Sequence, residues 1–160
     1  RRSAGAWRLA HWAVRLEELN EKAEAGDVRG AEELFADIRH AVPPKRGTLL
    51  YNTVLKACAN AGDAGKAVQW YERMRRQRVR VNHKTFGKVM EAAAKRGDAG
   101  AACAWLARLL QAFGADDVHV SMLLDACARA GKPEDALAWL ERLERARLEP
   151  GAAAYSAAVG

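Results

Sequence analysis

A small or basic residue followed by glycine recurs at Ala25-Gly26, Ala61-Gly62, Arg96-Gly97 and Ala130-Gly131, so that successive glycines are 36, 35 and 34 residues apart. A fixed period in this range dictates a repeat architecture before any single element is assigned. Alanine stands five residues after each glycine, at Ala31, Ala67, Ala102 and Ala136. From each alanine the same apolar grid follows at i+3, i+4 and i+7: Leu34, Phe35, Ile38; Trp70, Tyr71, Met74; Trp105, Leu106, Leu109; Trp139, Leu140, Leu143. Those spacings place the side chains on one face of a helix, giving a single stripe to bury. Upstream of the glycines a second helical grid repeats at Tyr51, Val54, Leu55, Cys58, then Phe86, Val89, Met90, Ala93, then Val120, Leu123, Leu124, Cys127.

Each unit is therefore expected to be helix, glycine turn, helix. Glycine suits the left-handed residue that closes a helix, and Asp63 and Asp98, directly after it, are placed to cap the next one. In the last full unit Lys132 replaces that aspartate, and Pro133 is tolerated in a first helical turn. One hairpin cannot bury its own stripes, so consecutive hairpins must stack. The expected fold is all-α: a right-handed α-solenoid of helix-turn-helix repeats of about 35 residues, in units 12–46, 48–82, 83–116 and 117–151. The first unit matches poorly, because its helix is amphipathic only with Trp12, Leu16, Leu19 and Ala23 shifted by a residue. It is read as a degenerate repeat or a cap. Tyr155, Ala158 and Val159 match the opening of a further unit at 152–160, and an unfinished hairpin leads to the expectation that the protein continues beyond Gly160.

Composition agrees with this reading. Alanine supplies 35 of 160 residues while aromatics make up 7%, which favours helix over sheet. Charged residues, at 29%, interrupt every apolar stretch before it reaches membrane-spanning length. The net charge is +6, with 18 arginines against 8 lysines, compatible with a polyanionic partner but not diagnostic of one. Cys58, Cys103 and Cys127 are odd in number and show no metal-ligand spacing, so they are read as small buried hydrophobes. His11, His40, His83 and His119 are scattered, and no nucleophile, base and orienting group recur together. Neither catalysis nor a metal or other cofactor is expected. Trp70, Trp105 and Trp139 share one position on the second-helix stripe and are assigned to the core. The run Arg73, Arg75, Arg76, Arg78, Arg80 gives unit 48–82 seven basic against two acidic residues, and is assigned to the helix dipole and a solvated surface.

Two families use hairpins of this length. The tetratricopeptide pattern has a packing glycine in the first helix, where this chain has the bulky Leu55 and Met90. Instead, the stretch from Tyr51-Asn52-Thr53-Val54-Leu55 to Ala61-Gly62, with Ala67 to Met74 and Leu148-Glu149-Pro150, resembles the pentatricopeptide repeat. The resemblance covers 48–160 well and 12–46 poorly.

The resemblance implies an organellar protein, mitochondrial or chloroplast, that binds single-stranded RNA one base per repeat. It implies base-reading pairs at Asn52 with Asn82, Gly87 with Asp116 and Ser121 with Gly151, and a start of another at Ser156. Asn52 and Asn82 would specify a pyrimidine, and Ser121 resembles hydroxyl residues associated with purines. The base-wedging position falls at Leu49, Lys84 and Val118, where Lys84 departs from the aliphatic pattern and is placed to approach a phosphate. A phosphate-contacting basic residue falls at Lys95 and Arg129, while Asn60 and Glu24 occupy the same register. The implied partners are RNA and other RNA-processing proteins, with no membrane. Two readings stay open: Asn82 as an ordinary helix cap, and the whole chain as a protein-binding scaffold of the tetratricopeptide kind.

Overall fold

Gly26, Gly62, Gly97 and Gly131 all adopt positive φ, between 66° and 76°, the left-handed conformation required where one helix stops and the chain reverses. The computed structural model describes residues 2–113 and 117–145. The expected unit at 152–160 lies outside them. Helices α1 (Arg2–Glu24) and α2 (Val28–Ile38) form the first hairpin, and a 3-10 turn, Pro44–Arg46, leads into α3 (Gly47–Ala61). Then follow α4 (Ala64–Arg76), α5 (His83–Lys95), α6 (Ala99–Phe113), α7 (Asp117–Arg129) and α8 (Pro133–Arg145). There is no strand among the described residues. Helix α1 reaches further upstream than the expected start at 12.

The caps act as the sequence suggests. Asp63 accepts from Lys66 N at 3.0 Å and Asp98 from Ala101 N at 3.0 Å, each answering an orphan donor of the following helix. Asp27 does the same for Gly30 N at 2.9 Å, and that bond, with Lys22 alongside, holds its carboxyl below the usual carboxylate range. Helix α8 begins directly at Pro133.

The hairpins stack as an α-solenoid. First helices α1, α3, α5 and α7 pack side by side, α2, α4 and α6 each sit between their own first helix and the next, and successive second helices meet through their side chains. Small side chains permit the close first-helix layer: Ala57, Ala59, Ala92, Ala93 and Ala126 are all buried. In the first hairpin Leu19 and Ala23 are buried, with Trp12 and Leu16 packed against them, so the shifted register is the correct one.

Aromatic rings join each second helix to its neighbours. Phe35 of α2 meets Tyr51 of α3 and Trp70 of α4 edge-on, at centroid distances of 4.9 and 4.6 Å. One unit on, Trp105 of α6 meets Tyr71 of α4 at 4.7 Å and Phe86 of α5 at 6.0 Å. Trp70 and Trp105 are thus core residues; the side chain of Trp139 lies outside the described set. Arg73 requires a correction, because its guanidinium lies 4.7 Å from the Trp70 ring and 5.0 Å from that of Phe35. Arg108 repeats the contact on Trp105 at 4.7 Å. Stacking on an aromatic face, rather than dipole and solvent alone, accounts for Arg73. Cys58 and Cys127 are fully buried, whereas Cys103 is only partly so. Burial pushes the Cys58 thiol up to about 12, which leaves it an inert core residue.

Glu32 of α2 ties two units together. It accepts from Lys66 Nζ at 2.9 Å and from the Trp70 indole Nε1 at 2.9 Å. Burial raises its carboxyl, but the bonds from Lys66 and Trp70 outweigh that and the net direction is down; Lys66 is raised, chiefly by the hydrogen bond to Glu32. A depressed carboxyl contributes stability above its unfolded pKa, about 4.3, and loses it as pH falls through the folded value. The raised lysine contributes below its own unfolded value, about 10.4, and loses it as pH rises through the folded one. Both side chains are partly exposed, so Glu32→Gln should cost no more than about 1 kcal/mol near neutral pH. Urea titrations should show that difference shrinking as pH falls from the unfolded value of about 4.3 through the lowered folded one.

Candidate nucleic-acid interface

The first turns of α3, α5 and α7 lie in register, and the third residue of each unit touches the fifth residue of the unit before it. Between α3 and α5 this contact is a hydrogen-bond network. Asn82 is the N-cap of α5 and its Oδ1 accepts from Thr85 N at 3.1 Å, while Asn82 N donates back to Thr85 Oγ1 at 3.1 Å, a capping box. Thr85 Oγ1 reaches Asn52 Oδ1 at 2.8 Å, and Asn52 Nδ2 donates to Asn82 Oδ1 at 3.1 Å. The two asparagines, 30 residues apart in sequence, are in direct contact.

The network fixes both amide orientations. Asn82 Oδ1 must face the Thr85 amide, so Asn52 must turn its Nδ2 toward Asn82; a flipped Asn52 would set two oxygens against each other. Thr85 has one hydroxyl proton, and its shorter contact, 2.8 Å against 3.1 Å, gives that proton to Asn52 Oδ1. Left over are both Nδ2 hydrogens of Asn82, one of Asn52, and one lone pair on Asn52 Oδ1. The pair is an excess of donors on a half-exposed surface. Asn82 is a helix cap and a partner of Asn52 at once, so the two roles considered for it are compatible.

Between α5 and α7 the same register is filled differently. Gly87 has no side chain, and a Cβ built there would stand 2.7 Å from Nε2 of His119, the third residue of its unit. Asp116, the expected companion of Gly87, lies outside the described residues, as do Gly151 and Ser156. Ser121 is described, and its Oγ is buried with no hydrogen-bond partner among the described residues. Leu49, Lys84 and Val118 are all exposed, the apolar Leu49 and Val118 at 46% and 60%.

Eight residues beyond Gly87 and Ser121 on the same helices, about 12 Å at 1.5 Å per residue, Lys95 ends α5 and Arg129 ends α7, both exposed. Each lies against the turn glycine of the preceding unit: Lys95 Cβ is 3.5 Å from a Cβ built at Gly62, and Arg129 Cβ 3.8 Å from one built at Gly97. Lys95 is loosely paired with Glu91 at 3.9 Å. In the same register Asn60 donates instead to the Ala23 carbonyl at 2.8 Å, and Glu24 is paired with Lys56.

Thr85 and His119 were not among the residues singled out in the sequence, although both occupy the third position of their units. No group of histidine, cysteine and acidic side chains suited to a metal occurs among the described residues, and no described helix is long and apolar enough to cross a membrane. Thr85→Val keeps the shape of the side chain but removes the hydroxyl from both asparagines. It should cost about 1–2 kcal/mol in urea unfolding, because the Asn82 N–H loses its acceptor in the capping box and the Asn52 oxygen loses its donor, while the cap bond to the backbone N–H of residue 85 remains. The Asn52 side-chain amide resonance should shift with it.

No curated protein matches the chain. A family profile described as PPR repeat family matches residues 46–103, and a second described as PPR repeat matches 118–148. Together they take in α3, α4 and α5, the start of α6, and nearly all of the hairpin of α7 and α8, including the Asn52, Asn82 and Thr85 network. The chain belongs to the pentatricopeptide repeat family of helical-repeat RNA-binding proteins.

Proposed function

We propose that the chain binds single-stranded RNA with sequence selectivity, along the face formed by the first turns of α3, α5 and α7. The observation that carries this reading is the locked Asn52 and Asn82 pair, whose free capacity is mostly N–H donors. The pairing edges of cytosine and uracil each carry two acceptor positions against one donor, whereas guanine carries two donors against one acceptor. A donor-rich pair therefore favours a pyrimidine and rejects guanine.

Leu49 and Val118 are the base-separating residues, with Lys84 in their register turned to a phosphate. Lys95 and Arg129 contact the RNA backbone from the far ends of α5 and α7. Backbone contacts of this kind supply affinity without sequence information. Helices α1 and α2, with Glu24 where a basic residue would stand, act as a degenerate repeat or a cap beside the first reading unit. Family membership supports a role in organellar RNA processing, stability, editing or translation, alongside other RNA-processing proteins. Catalysis is not part of the role.

Selection from a randomised single-stranded RNA pool, followed by filter binding at two salt concentrations, tests this reading. The expected result is enrichment of a pyrimidine at one position, and Asn52→Thr should move that preference toward adenine. Retention of duplex DNA as well as RNA would contradict it. Lys95→Ala and Arg129→Ala should each weaken binding of all sequences alike and lower the slope of log K against log salt by roughly 0.7 per lost phosphate contact.

A further inference from the structure

We infer that His119 is the base-contacting residue of the station at Gly87, supplied by the following repeat in place of the side chain that Gly87 lacks. The inference rests on the RNA-binding reading above and adds to it a residue outside the pairs the repeat pattern designates.

The two adjacent stations are built on one register. In the first, the fifth residue of the unit is Asn52 and the third residue of the next is Thr85, and they meet through a 2.8 Å hydrogen bond. In the second, the fifth residue is Gly87 and the third of the next is His119. The imidazole extends to within 2.7 Å of where a Gly87 Cβ would stand, so it occupies the volume an Asn52-like side chain would begin to fill. Thr85 is fully buried beneath Asn52, whereas His119 retains 8% of its surface. The longer side chain thus reaches past the threonine position into the station itself.

The chemistry suits the role. Nδ1 of His119 is buried and Nε2 lies toward the station, so the imidazole offers a base edge one nitrogen, a donor or an acceptor according to tautomer. A side chain held between two packed helices has little rotamer freedom left to lose on binding, which favours selectivity. Gly87 is required by this arrangement, since even one added carbon contacts Nε2 below the van der Waals limit. The pair Gly87 and His119 is then a size exchange across the inter-repeat contact.

The test is RNA selection by the whole chain, reading base preference at the position next to the one governed by Asn52. In wild type this position should show a preference of about three- to tenfold, the range expected of one hydrogen bond. His119→Phe keeps the ring and its packing but removes both nitrogens; it should flatten that position and leave the Asn52 position unchanged. Gly87→Ala leaves the imidazole intact but forces it aside, and should flatten the same position, which guards against a folding defect in the first variant. The triple variant Gly87→Asn, Asp116→Asn and His119→Thr copies the residues of the Asn52, Asn82 and Thr85 network and should install a pyrimidine preference there. A preference that survives His119→Phe would overturn the inference and reduce the imidazole to filler. So would a flat wild-type position beside a selective Asn52 position, with RNA reading itself left standing. Flat selection at both positions in wild type would remove the RNA-reading proposal as well.

Discussion

The close approach of successive first helices is the constraint on which the other features depend. Alanines in the first helices allow α3, α5 and α7 to pack directly, while bulky rings space the second helices, whose side chains meet one another and the first helices on either side. The difference in side-chain size between the two layers makes one face narrow and continuous. On that face the first turn of each unit stands beside the first turn of the next. A hydrogen bond between Asn52 and Thr85, 33 residues apart, is possible only in that register.

The second layer is stabilised by contacts that never reach this face. Edge-on ring clusters around Trp70 and Trp105 gain more than burial alone, about 0.5–1.5 kcal/mol per pair, and Arg73 and Arg108 cover the outer ring faces. Glu32 bridges α2 to α4 through Lys66 and Trp70. In a repeat array stability is a sum of unit and interface terms, so these bridges carry cooperativity from one hairpin to the next. On the first-turn face the fifth residue of the unit varies from Asn52 to Gly87 to Ser121 on the same helical frame.

Helix positions, turn glycines, aspartate caps and the buried tryptophans were all legible in the sequence, because each depends on residues within one helix or one turn. What escaped it depends on contacts between units. Arg73 was read as a solvated dipole partner, although the spacing Trp70 to Arg73 recurs as Trp105 to Arg108 and signals a ring contact. Gly87 read as a gap because positions were compared down the repeats and never across the boundary to His119. The same blindness hid Thr85, which sits unremarkably between Lys84 and Phe86 in the chain but under Asn52 in space. Any one-unit reading of a solenoid misses such pairs, since stacking brings together residues nearly one period apart.

Side-chain amide and indole resonances offer the most direct measurement. In a titration of the labelled chain with a short single-stranded pyrimidine-rich RNA, the Asn52 and Asn82 Nδ2 signals should move together and saturably. The Trp70 and Trp105 Nε1 signals, in the second-helix layer, should stay in place. Movement of the tryptophan signals with silent asparagines would place the ligand on the opposite layer and contradict a reading face built on the first helices.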